Sequence, residues 1–161
     1  MSNIMLRDPN DPKSAVIIDF GSVIMFDSKL NPLRPITHIL APPERHMTNR
    51  SLQRPIDERL KRLLIAWDSW SLGIILFNLL TRKTLRLTWD VTQSNLDKTR
   101  AKLMNCIEKQ ISSATLGHCD VPEYIVSVIK GLLEPDHRRR MTPEAALEMF
   151  ALRKYEGYRY N

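Results

Sequence analysis

Leu63–Leu80, LLIAWDSWSLGIILFNLL, is the most apolar stretch of the chain, and the fold turns on whether it crosses a bilayer or fills a protein core. A membrane span needs about 20 consecutive, mostly apolar residues. Here Asp68, Gly73 and Asn78 break the run into short pieces, so it reads as one central helix of a soluble domain. Apolar residues lie nearly all round its circumference, which predicts a helix packed on every side. Composition supports that choice. Hydrophobic residues make up 43% and charged residues 26% of the 161, the balance of one ordinary globular domain, which argues against a disordered or membrane-spanning chain. The formal charge of +6 favours acidic partners, but it is spread without a long like-charge run, so nucleic acid is not indicated.

Working outward, Ile4–Leu6 and Ala15–Ile18 are short apolar runs separated by the turn-rich Arg7–Lys13, a pattern that predicts a β-hairpin. Ser22–Pro43 shows neither helical nor strand periodicity and reads as a long loop, of the kind that usually carries function. Beyond the central helix the patterns are helical only. Leu96, Leu103, Ile107 and Ile111 share one face, and Ile125, Val128, Ile129, Leu132 and Leu133 share another, opened by Asp120 and Glu123 in capping-box spacing. A last helix starts with Thr142 as N-cap and Pro143 at its first position. The expected fold is therefore mainly α with a short N-terminal β-hairpin. Cys106 and Cys119 have no metal-site spacing and read as idle thiols of a reducing compartment, cytoplasmic or nuclear, and no secretory signal opens the chain.

Four short motifs lie along this frame. Asp19-Phe20-Gly21 ends the hairpin, and Pro42-Pro43-Glu44 ends the long loop. Asp68-Ser69-Trp70-Ser71-Leu72-Gly73 lies in the central helix, and Asp136-His137-Arg138-Arg139-Arg140 precedes the last one. In that order they resemble the C-terminal lobe of the eukaryotic protein kinases of Ser/Thr type, over nearly the whole chain. The resemblance implies a lobe over residues 1–152 and a tail over 153–161. Within the lobe, residues 1–21 are the end of the catalytic loop, the hairpin and the DFG triplet, and 22–44 the activation segment. Residues 45–64 form a basic insertion, 65–81 the central F helix, and 90–152 the remaining helices. Asn3 and Asp19 match the residues that hold magnesium and the nucleotide phosphates of Mg-ATP. Phe20, Gly21, Thr37, Pro43 and Glu44 belong to the activation segment, and Thr37 tilts specificity towards Ser/Thr. Glu44 and Arg140 match a buried ion pair, with Arg138 and Arg139 as weaker candidates. Asp68, Trp70 and Gly73 match structural positions of the F helix, and Asp68 accepts backbone hydrogen bonds from the catalytic loop in the family.

By the same resemblance, the family's catalytic Asp and catalytic-loop Lys precede that Asn by five and three positions and so fall ahead of Met1. The Gly-rich loop, the strand Lys and its partner Glu fall there too. The expectation is a truncated kinase lobe with a vestigial metal site, inactive alone, because phosphoryl transfer depends on those positioned charges. The alternative is a non-catalytic, pseudokinase-like binding protein that docks on an intact kinase or an isolated N-lobe. The stretch from Arg45 to Leu63 carries Arg45, Arg50, Arg54, Arg59, Lys61 and Arg62 against Asp57 and Glu58, and its sharper reading is a dock for an acidic protein surface.

Overall fold

Residues 3–21, 23, 41–47, 57–85, 96–115 and 121–157 are described by the computed structural model. The chain divides into two units, residues 1–35 with 51–56 and residues 36–50 with 57–161. In the first unit, β1 (Ile4–Leu6) and β2 (Ala15–Ile17) pair antiparallel in the register Ile4↔Ile17, Met5↔Val16, Leu6↔Ala15. The connection is fixed by short polar side chains that bond their own backbone. Asp11 accepts from the Lys13 amide at 2.8 Å, Asp8 from the Asn10 amide at 2.9 Å, and the Ser14 hydroxyl donates to the carbonyls of Asp8 and Asp11. Regular pairing stops at Ile17, and one further bond from the Ile18 amide to the Asn3 carbonyl, 2.9 Å, closes the open end.

The second unit is helical: α1 (Pro43–Met47), α2 (Glu58–Thr81), α3 (Leu96–Thr115), α4 (Glu123–Leu132) and α5 (Pro143–Gly157). Trp70, Ile74 and Phe77 of α2 pack with Leu85, with Leu103, Ile107 and Ile111 of α3, and with Ile129 and Leu133 at the end of α4. Val128, Leu132 and Ala146 join α4 to α5. The buried hydroxyls of α2 are satisfied by a carbonyl one turn back, Ser69 by Ile65 and Thr81 by Phe77, and the exposed Ser71 bonds Trp67 in the same way. By length and composition α2 would cross a membrane, with a mean hydropathy of 1.7 over its most apolar window, but its packing against α3 and α4 is that of a core helix. Gly73 permits a close approach of α2 to the C-terminal end of α4. A Cβ there would lie 2.9 Å from Leu133 Cγ and 3.0 Å from Leu132 Cβ.

Several expectations from sequence need correction. The central helix begins at Glu58 rather than at 65, so the last third of the basic insertion is helical. The reason is a strong cap: Asp57 accepts from the Leu60 amide at 2.7 Å, and Glu58 pairs with Lys61 across the first turn. Nor is α2 packed on every side, since Ile65, Asp68 and Leu79 are exposed along one stripe. The capping box assigned to α4 does not open that helix. Its N-cap is Pro122, which has no side-chain acceptor, and Asp120 lies outside the described residues. At α5 the Ala145 amide donates to Thr142 Oγ1 at 3.2 Å, and the helix continues to Gly157, past the boundary placed at 152. Cys119 and most of the loop at 22–40 lie outside the described residues.

Candidate functional site

The hairpin register decides where the first two candidate residues stand. Because Ile4 pairs with Ile17 and the Ile18 amide reaches the Asn3 carbonyl, Asn3 and Asp19 emerge at the same end of the ladder, on adjacent strands. Asp19 has φ 65°, in the left-handed region that non-glycine residues rarely occupy. Aspartate tolerates that conformation when its carboxylate bonds the backbone just ahead, and here Asp19 Oδ1 accepts from the Gly21 amide at 3.2 Å. A Cβ at Gly21 would lie 3.1 Å from that same oxygen, so a side chain there would crowd the carboxylate. The Val23 amide donates to the Phe20 carbonyl at 3.1 Å, which closes a tight turn after the triplet. Asp19, Phe20 and Gly21 are all exposed.

A carboxylate and an amide oxygen are hard donors of the kind magnesium takes, and this cation is commonly held by one or two protein oxygens with substrate phosphates and water completing its shell. The donor set therefore fits magnesium. Among the described residues no group of three or more His, Cys, Asp or Glu converges to form a self-sufficient metal cage.

The second constellation belongs to the helical unit and is buried. Arg140 Nη1 donates to Glu44 Oε1 at 2.7 Å, and Nη2 donates to Oε2 at 2.9 Å, a two-pronged pair with both side chains out of solvent. The same guanidinium donates to the carbonyls of Glu134, Ala66 and Pro135 and lies over the Trp70 ring at 4.9 Å. One side chain thus fastens α1, α2 and the turn before α5. Of the three consecutive arginines it is Arg140 that turns inward. Arg138 turns back on Asp136, with its Nε and Nη2 both at 2.9 Å from the carboxylate. Those bonds hold the Asp136 carboxyl below its ordinary pKa.

Asp68 is exposed on α2, and desolvation by its neighbours raises its pKa. Trp70 and Gly73 lie in the buried face opposite. Thr37 lies outside the described residues. Two partners of the buried node gave no signal in sequence. Arg100 of α3 donates to Glu134 at 2.7 Å, and Arg45 of α1 stacks over Trp67 at 5.2 Å. Neither position belongs to a motif, and only the helix packing brings them together.

The two constellations lie at the end of the hairpin and within the helical unit, and both are built from residues of the motifs that resemble the protein kinases. Comparison with protein families gives the same outcome, for the protein kinase domain family matches residues 1–150. No curated protein and no solved structure matches the chain. With the family's pattern running through 150 of its 161 residues, and with a mostly helical unit that follows an N-terminal hairpin in the sequence, the chain belongs to the protein kinase family.

Proposed function

We propose that this chain supplies the C-terminal, metal-binding half of a Ser/Thr protein kinase catalytic domain, acting in phosphoryl transfer from Mg-ATP to a protein hydroxyl. The observation that carries the reading is the pairing of Ile18 with Asn3, which brings Asn3 and Asp19 to one end of the hairpin. Asp19 and Asn3 are the residues that would hold magnesium, and the bound ion would offset charge on the nucleotide phosphates. Gly21 keeps space beside the Asp19 carboxylate, and the Asp19–Gly21 bond fixes its direction. The Glu44–Arg140 pair holds the end of the activation segment to the helical core, and by resemblance Thr37 matches the position where Ser/Thr-specific members of the family carry a threonine.

Three groups that the reaction needs, the catalytic Asp, the strand Lys and its partner Glu, match no position among these 161 residues. The chain by itself is therefore proposed to be inactive and to gain activity only with an ATP-binding N-lobe and a catalytic loop. The test compares the purified chain with the same chain joined behind a kinase N-lobe and an intact catalytic loop, using radiolabelled ATP and a Ser-containing peptide. The joined protein is expected to transfer phosphate and to lose at least about a hundredfold on Asp19→Ala, while the chain alone transfers none. Transfer by the chain alone, or a folded joined protein that ignores Asp19→Ala, would defeat the proposal.

A second reading, a non-catalytic binding protein, draws on the exposed Met5, Leu6, Ile17, Phe20 and Val23 of the hairpin unit. It is favoured if the chain captures a purified kinase N-lobe and the assembled pair remains inactive.

A further inference from the structure

We propose that the groove between the first turns of α2 and the Pro135–Arg138 turn docks an acidic, extended peptide segment of a partner protein. The groove encloses about 960 Å³. Leu63, Ile65 and Ala66 of α2 and Pro135 give it an apolar lining, and Arg59 and Arg62, three residues apart on α2, line it as well. Its charges do not cancel evenly. Glu44 is consumed by Arg140 and Asp136 by Arg138, so two of the lining carboxylates are already neutralised by partners of their own. Arg59 and Arg62 are both exposed and have no carboxylate partner among the described residues. Glu144, exposed at the Thr142 end, is the lining carboxylate left to oppose them.

The spacing narrows the class of ligand further. Residues three apart on a helix face have Cβ atoms about 5–6 Å apart. Alternate side chains of an extended peptide project on one side at about 6.6–7 Å, a separation that long arginine side chains reach readily. Two carboxylates at alternate positions, with aliphatic side chains between them, therefore match both the charge and the lining. This dock shares no residue with the hairpin end and does not depend on phosphoryl transfer.

The probe is a fluorescein-labelled Glu-Leu-Glu-Leu-Glu peptide, with Lys-Leu-Lys-Leu-Lys as its control, titrated with the full chain at about 50 mM salt, where surface attraction is weakly screened. Saturable anisotropy is expected for the acidic peptide and not for the basic one. Arg59→Glu combined with Arg62→Glu is expected to weaken binding by roughly tenfold or more, and Arg59→Gln with Arg62→Gln by less. Arg139→Glu makes an equal change per residue at an exposed position outside the groove lining and is expected to leave affinity within about twofold. Circular dichroism of each variant checks that the helices persist. The proposal is overturned if the wild-type chain shows no saturable binding. It is equally overturned if Arg139→Glu weakens binding as much as the groove substitutions do.

Discussion

Arg140 shows how one side chain sets the geometry of a whole lobe. A guanidinium has five N–H donors, and here all five have acceptors: two on Glu44 and one each on the carbonyls of Glu134, Ala66 and Pro135. Lysine offers three donors from a point and cannot reproduce that fork. Arg140→Met takes the guanidinium from the buried Glu44 carboxylate, and is expected to cost about 3–5 kcal/mol in urea unfolding. Adding Glu44→Met should recover part of the loss, because it removes the stranded carboxylate but does not return the guanidinium bonds to the carbonyls of Glu134, Ala66 and Pro135. Two aspartates give opposite pH dependences. Asp136 has its native pKa lowered, chiefly by the hydrogen bond from Arg138, so its stabilisation is present above the unfolded value and disappears as pH falls through the native one. Asp68 has its native pKa raised by desolvation, so its ionised form opposes folding at neutral pH, and the opposition fades as pH falls to the unfolded value. Asp136→Asn should therefore destabilise at neutral pH and become neutral in acid. Asp68→Asn should stabilise slightly at neutral pH and also become neutral in acid. Melting temperatures followed from neutral pH into the carboxylate range test both signs.

At the scale of the element, α2 is set by its two ends and by one glycine. Asp57 starts the helix, and Arg82, at φ 53°, ends it with its amide on the Asn78 carbonyl at 2.8 Å. Between them Gly73 lets Leu132 and Leu133 approach. Gly73→Ala gains about 1 kcal/mol of helix propensity but forces a Cβ into Leu132 Cβ and Leu133, an overpacking worth about 1–3 kcal/mol. A net loss of about 1 kcal/mol in urea unfolding is expected, and a variant as stable as the parent would show that α4 yields at this contact. The same helix shows what could be read from sequence and what could not. Asp68 to Gly73 is legible because its motif lies wholly within one element, and the hairpin is legible because strand and turn chemistry are local. The start at Asp57 was hidden by the basic residues around it, since a charge count ignores a single capping carboxylate. The exposed stripe through Ile65 and Leu79 was hidden because apolarity all round a helix does not reveal which face finds a neighbour. The Arg100–Glu134 bond spans 34 residues of sequence and became visible only when α3 was packed against the end of α4.

At the scale of the molecule, the two units differ in how their order is maintained. The helical unit has a continuous apolar core through α2, α3 and α4, with Trp70, Phe77, Ile107 and Ile129 fully buried. The hairpin unit has strands of three residues each, and none of its described residues is buried. A two-stranded hairpin is marginal in water without a packed face, so its stability rests on the turn bonds of Asp8, Asp11 and Ser14 and on the Ile18–Asn3 closure. Opening it exposes little apolar surface, whereas opening α2 exposes the core, and the free energies of the two openings should separate accordingly. Hydrogen exchange on the purified chain should therefore show the Arg7 and Ile18 amides, both bonded across the hairpin, exchanging at least about a hundredfold faster than amides in the Trp70–Phe77 turns of α2. Ser14→Ala removes the hydroxyl that bridges Asp8 and Asp11, and should accelerate exchange in the hairpin while leaving α2 unchanged. If both regions accelerated together, the hairpin and the helical core would be one cooperative unit. The hairpin end at Asn3 and Asp19 would then open only with the lobe, whereas acceleration confined to the hairpin means that this end opens independently of the helical core.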